Sequence, residues 1–388
     1  MPDKVTHTMK TQVLTFSLAE GWSAPLPTEL DSPQTLVLAF GSSSFADHAA
    51  PFDALRAALP QAVILGCSTS GEIAGAHLSD ASISVAVTRF EHTRLRRVET
   101  VVREPQASAA AGAELAAQLA GEDLRAVFIL SEGLTVNGTA LVAGLVAALP
   151  PGVQVTGGLA GDGAAFNKTW VLAQGLPQAH HVSAVGLYGQ RLHARSGCDG
   201  GWMDFGPQRR ITKSVGSVLH ELDGKPALDL YKDYLGKLAA ELPGSALLFP
   251  LSIRAPGSTE RPLVRTILGI DDEARTMTFA GDVPEGHEAR LMRATDDSLI
   301  GSAAQAMSQA ALHLPDASAS LVISVSCGGR RLMLGERAEE EVETIAERAP
   351  AGGAHVGFYS YGEIAPGAAD SACMLHNQTM TVTVFAEV

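Results

Sequence analysis

The feature that most constrains this chain is an eight-residue phrase written twice, Gly66-Cys67-Ser68-Thr69-Ser70-Gly71-Glu72-Ile73 and Gly357-Phe358-Tyr359-Ser360-Tyr361-Gly362-Glu363-Ile364. Each copy follows a segment that reads as β-α-β. Each leads through a short run of small residues into another apolar stretch, Ile83–Val87 in the first case and Met380–Val384 in the second. The segment before the first phrase shows the pattern: Thr35–Phe40 is a continuous apolar run suited to a buried strand, Asp53–Leu59 a helix stopped by Pro60, and Ala62–Leu65 a return to the sheet. Such a crossover between parallel strands is right-handed.

A further unit keeps the same spacing, because as many residues separate Leu36 from Gly66 as separate Val127 from Gly157. Its strand is Ala126–Leu130 and its helix runs from Gly138 to Leu149 with Asn137 as cap. Its second strand, Val153–Thr156, opens into Gly157-Gly158-Leu159-Ala160-Gly161-Asp162-Gly163, and an Ala-rich helix at 108–120 lies between the units. Trp170–Leu172 and Val182–Tyr188 read as strands of a hairpin or barrel wall, and Gly197–Trp202 as a turn-rich boundary. Beyond it come a helix starting at Pro226, a hairpin from Leu263–Ile270 to Thr276–Ala280, a helix over 297–314, and a last β-α-β beginning at Leu321. The helix of that last unit, Glu336–Arg348, carries six glutamates and reads as a solvated face. The expected fold is α/β: two related mixed α/β domains, 1–218 and 219–388, built from β-α-β units with additional antiparallel strands.

Composition removes several function classes. A net charge of −14 with 28 Lys+Arg opposes nucleic-acid binding. No stretch approaches the roughly 20 apolar residues of a membrane span, and the first 30 residues hold no signal-type apolar core, so a soluble cytoplasmic protein without membrane insertion is expected. Cys67, Cys198, Cys327 and Cys373 are scattered without a CxxC pair and read as free thiols.

Ligands of parallel α/β layers meet the loops at the carboxyl ends of strands. The Gly/Ser-rich exits after Phe40, Leu65, Leu130, Thr156, Val325 and Val356 therefore predict a polar-lined pocket. Glu72 and Glu363 occupy matching places, as a pair for acid–base work or as duplicated turn anchors; the repeat favours anchors. Cys67 as nucleophile and His376 as base are imaginable, but no triad or nucleophile-elbow signature accompanies them. The Gly157–Gly163 loop lacks the GxGxxG order and leads toward a strand, so it does not predict nucleotide binding. Twelve histidines show no HExxH spacing, and a lone axial histidine leaves no spacing signature. His193 and His376 are the candidates.

The Gly66–Ile73 phrase, the Gly157–Asp162 loop, Glu221-Leu222-Asp223-Gly224-Lys225-Pro226-Ala227-Leu228 and the Gly357–Ile364 phrase with Leu375-His376-Asn377-Gln378-Thr379 together resemble the FIST sensory-domain family. The resemblance runs from about Leu36 to the C-terminus, as a FIST N followed by a FIST C module. It implies a sensor of small molecules such as amino acids, and, since no output domain is attached, a separate signalling partner. Stand-alone FIST proteins include a haem group that senses nitric oxide and controls histidine kinases. The resemblance thus implies non-covalent haem b with His193 as its metal ligand, His376, Arg209 and Arg210 in cofactor contact, and a partner sensor histidine kinase; a homodimer is left open. Ser68, Thr69, Ser70, Glu72, Gly157, Gly158, Tyr359, Tyr361, Glu363 and Asn377 form the expected ligand-binding set. The alternatives are a sensor of a small polar metabolite without haem and an enzyme using Glu72 or Cys67.

Overall fold

A computed structural model describes residues 9–259, 261–315, 319–367 and 371–388. Strands of three or more residues and α-helices are numbered in chain order. The first repeat contains β1 (Lys10–Ser17), β2 (Thr35–Ser42), α1 (Ala50–Ala58), β3 (Val63–Thr69), β4 (Glu72–Ala74), β5 (His77–Ser79) and β6 (Ser82–Arg89). The second has β7 (Arg94–Val101), α2 (Ser108–Leu119), β8 (Leu124–Ser131), α3 (Gly138–Ala148), β9 (Gln154–Leu159), β10 (Val171–Ala173), β11 (Leu176–Gln178) and β12 (His181–Tyr188). The third opens with β13 (Leu192–Asp199). An inserted antiparallel sheet then intervenes: β14 (Met203–Val215), β15 (Val218–Leu222), α4 (Ala227–Leu235), β16 (Leu251–Arg254), β17 (Leu263–Arg265), β18 (Ile267–Asp271), β19 (Thr276–Phe279) and β20 (Glu288–Arg293). The repeat resumes with α5 (Asp296–Ala311), β21 (Ser320–Cys327), α6 (Gly328–Leu334), α7 (Ala338–Arg348), β22 (Gly353–Ser360), β23 (Gly362–Pro366), β24 (Cys373–His376) and β25 (Met380–Glu387).

The two phrases belong to a three-fold plan. In each repeat the parallel pairs β2/β3, β8/β9 and β21/β22 are flanked by an antiparallel return strand and an outer strand. The hairpin after each parallel pair leaves home. Hairpin β4/β5 pairs with β22, β23/β24 with β9, and β10/β11 with β3, so the three sheets exchange edges in a cycle. Trp170–Leu172 and Val182–Tyr188 accordingly form no hairpin with each other: β10 joins the first sheet, whereas β12 pairs with β8 in the second. The division expected at 218/219 falls at the first residue of β15, inside the inserted sheet.

Alternation along the parallel strands explains why their sequences are apolar throughout. Leu36, Leu38 and Phe40 share one central core with Ala126, Phe128 and Leu130 and with Leu321, Ile323 and Val325. The intervening residues, Val37 and Ala39, Val127 and Ile129, and Val322, face outward into separate clusters. The rings of Phe40 and Phe358 meet at 4.6 Å across this centre.

The acidic helix departs from expectation at one position. Glu341 on α7 is buried and accepts from Arg330 (2.6 Å), Ser326 (3.0 Å) and Tyr359 (2.7 Å). Charge count alone could not distinguish this inward carboxylate from its solvated neighbours.

Candidate functional site

The matching glutamates make matching bonds. Glu72 accepts from the Thr69 hydroxyl, the Ser82 amide (3.1 Å) and the Ser82 hydroxyl (2.9 Å). Glu363 accepts from Ser360 Oγ (2.7 Å), the Thr379 amide (3.1 Å) and the Thr379 hydroxyl (2.9 Å). Each carboxylate therefore pins the start of a departing hairpin to the strand that returns from it. Burial, opposed by these bonds, lifts Glu72 to about 7 and Glu363 to about 8. The oxygens of both carboxylates thus accept from local turn groups, as anchors require.

Ser68-Thr69-Ser70 is equally committed to joining the repeats. Ser68 Oγ accepts from the Trp170 amide (3.0 Å), and Ser70 Oγ accepts from the Gly163 amide (3.0 Å). The Ser70 amide donates to Tyr359 O (2.8 Å). Gly157 and Gly158 lie inside β9, where a Cβ on Gly157 would stand 1.8 Å from Ile129 O. Tyr359 is fully buried beneath α7. Cys67 is buried as well, and burial pushes its thiol well above the ordinary range, away from nucleophile chemistry. Of the expected ligand-binding set, Tyr361 is the member that walls the large cavity; Asn377 is buried behind it.

That cavity, about 500 Å³, lies at the carboxyl ends of β8, β9, β21 and β22; the exits after Phe40 and Leu65, expected to converge with them, do not line it. Its opposite wall comes from the inserted sheet through Ile267, Leu268 and Phe279, residues of the hairpin expected from Leu263–Ile270 and Thr276–Ala280. Large apolar side chains left partly in solvent collect on it: Leu134 (39% exposed), Phe166 (51%), Leu268 (45%) and Leu332 (54%). Isolated exposed apolar residues are ordinary, but four around one opening form a patch. The expected polar lining is thus replaced by a mainly apolar one, because the glycine-rich exits lend backbone while neighbouring loops supply Leu, Ile and Phe.

Local sequence builds these walls. Glu132 accepts from the amides of Leu134 (2.8 Å) and Thr135 (2.7 Å) and from the Thr169 hydroxyl (2.6 Å), folding the β8 exit into a tight turn. Asp162 does the same for the next loop, accepting from the amides of Phe166 (3.0 Å), Asn167 (2.7 Å) and Lys168 (2.7 Å). Phe166 sits there at φ 47°, a sparsely populated conformation for an aromatic residue. Its ring stacks on Tyr361 with centroids 4.7 Å apart and planes 11° apart, and Tyr361 Oη donates to Asp162 and to Gly163 O (3.1 Å). Asn137 caps α3 through the Ala140 amide (2.9 Å), and its Nδ2 donates to Asp282 (3.1 Å) of the inserted sheet, tying the two walls together.

The residues expected around haem do not meet. His193 is half-buried on β13 with Arg195 and Arg125 near it; burial, then those charges, lower its pKa. His376 on β24 bonds Ala365 O through Nε2 (2.9 Å), and burial lowers it to about 4. It borders a separate cavity of about 230 Å³. Arg209 belongs to the inserted sheet, not to the surroundings of His193, and is held by Asp223 (3.0 Å) and Tyr234 (2.6 Å); the Arg210 amide donates to the same Asp223 (2.8 Å). None of the four walls the large cavity, so as a set they do not fit a single haem pocket. Among the described residues no group of three or more His, Cys, Asp or Glu is placed to hold a metal ion, and no helix is long and apolar enough to cross a membrane.

Comparison with known proteins bears on the whole chain. An uncharacterized protein of Mycobacterium tuberculosis, in strains CDC 1551 / Oshkosh and H37Rv, is 26% identical over 376 residues, 91% of either sequence. The crystal structure of cyanuric acid hydrolase from A. caulinodans aligns over 98% of this chain and 99% of its own at 10% identity and a TM-score of 0.38. Residues 35–225 match the FIST N domain and residues 227–366 the FIST C domain. The chain belongs to the FIST family, whose domains are sensory domains of signal transduction.

Proposed function

We propose that this protein is a sensory ligand-binding protein whose ligand occupies the cavity between the β8, β9, β21 and β22 exits and the inserted sheet. The ligand is a small, neutral molecule with a planar apolar body. The observation that carries this reading is the ring of partly exposed Leu134, Phe166, Leu268 and Leu332 around that cavity, with the stacked Phe166–Tyr361 pair as an aromatic platform. Among the described residues no Lys, Arg, His or Glu walls it, and its one carboxylate, Asp282, is engaged by Asn137. An amino-acid zwitterion would lose hydration at both charges and find no cation for its carboxylate. Signalling follows if the ligand binds one arrangement of core loops and inserted sheet better than another, and a separate histidine kinase reads the difference.

A thermal-shift panel tests the reading. Neutral aromatic compounds are expected to raise the melting temperature by mass action, and free amino acids are not. Ala280→Trp, which fills the cavity, removes the response. If amino acids give the stabilisation, or if Ala280→Trp leaves it intact, the assignment fails. A Soret band that moves with nitric oxide after reconstitution with haem would replace it by the haem reading.

A further inference from the structure

The three repeats provide an internal control for one anomaly. Each visiting hairpin returns to its home sheet through a turn that holds a non-glycine residue at positive φ: Ala81 (55°), His180 (60°) and Gln378 (60°). In the first turn the neighbour Asp80 is paired with Arg331 at 2.8 and 2.6 Å. In the second, His180 Nδ1 lies 3.2 Å from Thr135 Oγ1. In the third, Asn377 and Gln378 are both fully buried, and among the described residues none of their four side-chain amide atoms has a hydrogen-bond partner. Buried polar atoms are ordinarily satisfied, so an orphaned amide pair in one repeat of three marks a place where something else supplies the bonds.

The pair lies one layer behind the cavity wall. Gly328, Gly329 and Ser360 are part of that wall. A Cβ on Gly329 would stand 2.6 Å from Gln378 Nε2, and one on Gly362 would stand 3.6 Å from Asn377 Nδ2. Gly328 and Gly329, which open α6, thus put no side chain between Gln378 and the cavity. One buried water makes about three hydrogen bonds, too few for two primary amides that each offer two N–H donors and a twice-accepting oxygen.

Resting on the cavity reading above, we propose that Asn377 and Gln378 recognise the polar edge of its ligand, which is a neutral molecule carrying donor and acceptor side by side, as a primary or cyclic amide or a urea does. The amides have no partner among the described protein groups, and in the complex the ligand supplies one. This uses buried polarity for recognition at the expense of stability.

Calorimetric titration and thermal shift with benzamide, N,N-dimethylbenzamide and ethylbenzene test it on the full chain. Benzamide is expected to bind at least about tenfold more tightly than the dimethyl compound, which has no N–H donor. Asn377→Leu, close in volume but apolar, is expected to melt at or above the wild-type temperature when free. It should lose the benzamide preference while still responding to ethylbenzene. Equal affinity for the two amides in the wild type overturns the proposal, as does a benzamide response unchanged in Asn377→Leu. A marked loss of stability in that variant also overturns it, since the amide would then be structural. Ethylbenzene binding without benzamide binding sinks the amide site and leaves the cavity standing; no binding of any of the three, with Ala280→Trp also silent, sinks both.

Discussion

The duplicated glutamates make the pH dependence of stability a quantitative test of the fold. Burial holds Glu72 at about 7 and Glu363 at about 8, against an ordinary 4.5. Between those values the native state keeps protons that the unfolded chain has released, so both groups lower stability as pH rises and level off above their folded pKa. Two histidines act in the opposite sense. Burial lowers His355 and His376 from 6.5 to about 4, so the native state binds fewer protons over that interval and stability rises with pH until about 6.5. At about 1.4 kcal/mol for each pH unit and group, the two pairs nearly cancel between 4.5 and 6.5. Above 6.5 the histidine contribution is spent. Glu72 continues to about 7 and Glu363 to about 8, for a combined loss of about 3 kcal/mol.

The perturbation is the double variant Glu72→Gln, Glu363→Gln. Each amide oxygen can keep the bonds from the Ser82 or Thr379 amide and hydroxyl, while its NH2 donates to Thr69 or Ser360, whose hydroxyl accepts instead. Without the two acids the curve should rise by about 5 kcal/mol between pH 4.5 and 6.5 and stay level to about pH 8, above which the buried thiols begin to lower it. Urea melts at half-unit pH intervals give both curves. A wild-type profile that stays level or rises between pH 6.5 and 8, or a double variant that keeps the fall, refutes the reasoning.

Two other substitutions probe the frame. Glu341→Ala leaves the fully buried Arg330 without its counter-charge and is expected to cost about 3–5 kcal/mol in a urea melt; Arg330→Met with Glu341→Leu should recover much of that, because an apolar pair leaves no charge buried alone. Gly157→Ala places a Cβ 1.8 Å from Ile129 O at a φ of 149°. It should destabilise by more than about 3 kcal/mol, seen as loss of soluble folded protein or a large drop in urea midpoint; a loss under about 1 kcal/mol would show that β9 can part from β8 there.

Much of the frame was legible because a parallel strand buried on both faces leaves a continuous apolar run, and Leu36–Phe40, Val127–Leu130 and Leu321–Val325 each do so. Helix limits followed from local chemistry: Asn137 caps α3, and α4 starts directly after Pro226. The edge exchange was not legible. Strands of three residues such as β4 and β10 carry no period by which a partner sheet could be named. The cavity was half visible: glycine-rich exits at strand ends pointed to its place, but its chemistry depends on Leu268 and Phe279, distant in sequence from those exits. Glu341 shares a helical stripe with Ala338, Val342 and Ile345, a spacing that a count of charges passes over, and its partner Arg330 lies on the preceding helix α6.

The cyclic exchange has a mechanical consequence for a sensory protein. Because β4 is hydrogen-bonded to β22, β10 to β3 and β23 to β9, the first repeat cannot move relative to the other two without breaking backbone bonds. The inserted sheet is held differently. Where it faces the cavity, its ties to the core include Asn137 Nδ2 to Asp282 (3.1 Å), the Asp282 amide to Thr139 Oγ1 (3.3 Å) and Arg265 to Leu375 O (3.1 Å), each involving a side chain. Such bonds are individually worth about 1–3 kcal/mol, the upper end for the two that involve a charged group, whereas parting two strands exposes several backbone groups together. On the reading proposed above, a ligand seated in the cavity would do its work most cheaply by shifting the inserted sheet against the core. That makes Asn137 and Asp282 the pair through which occupancy would be transmitted to α3 and the outer surface.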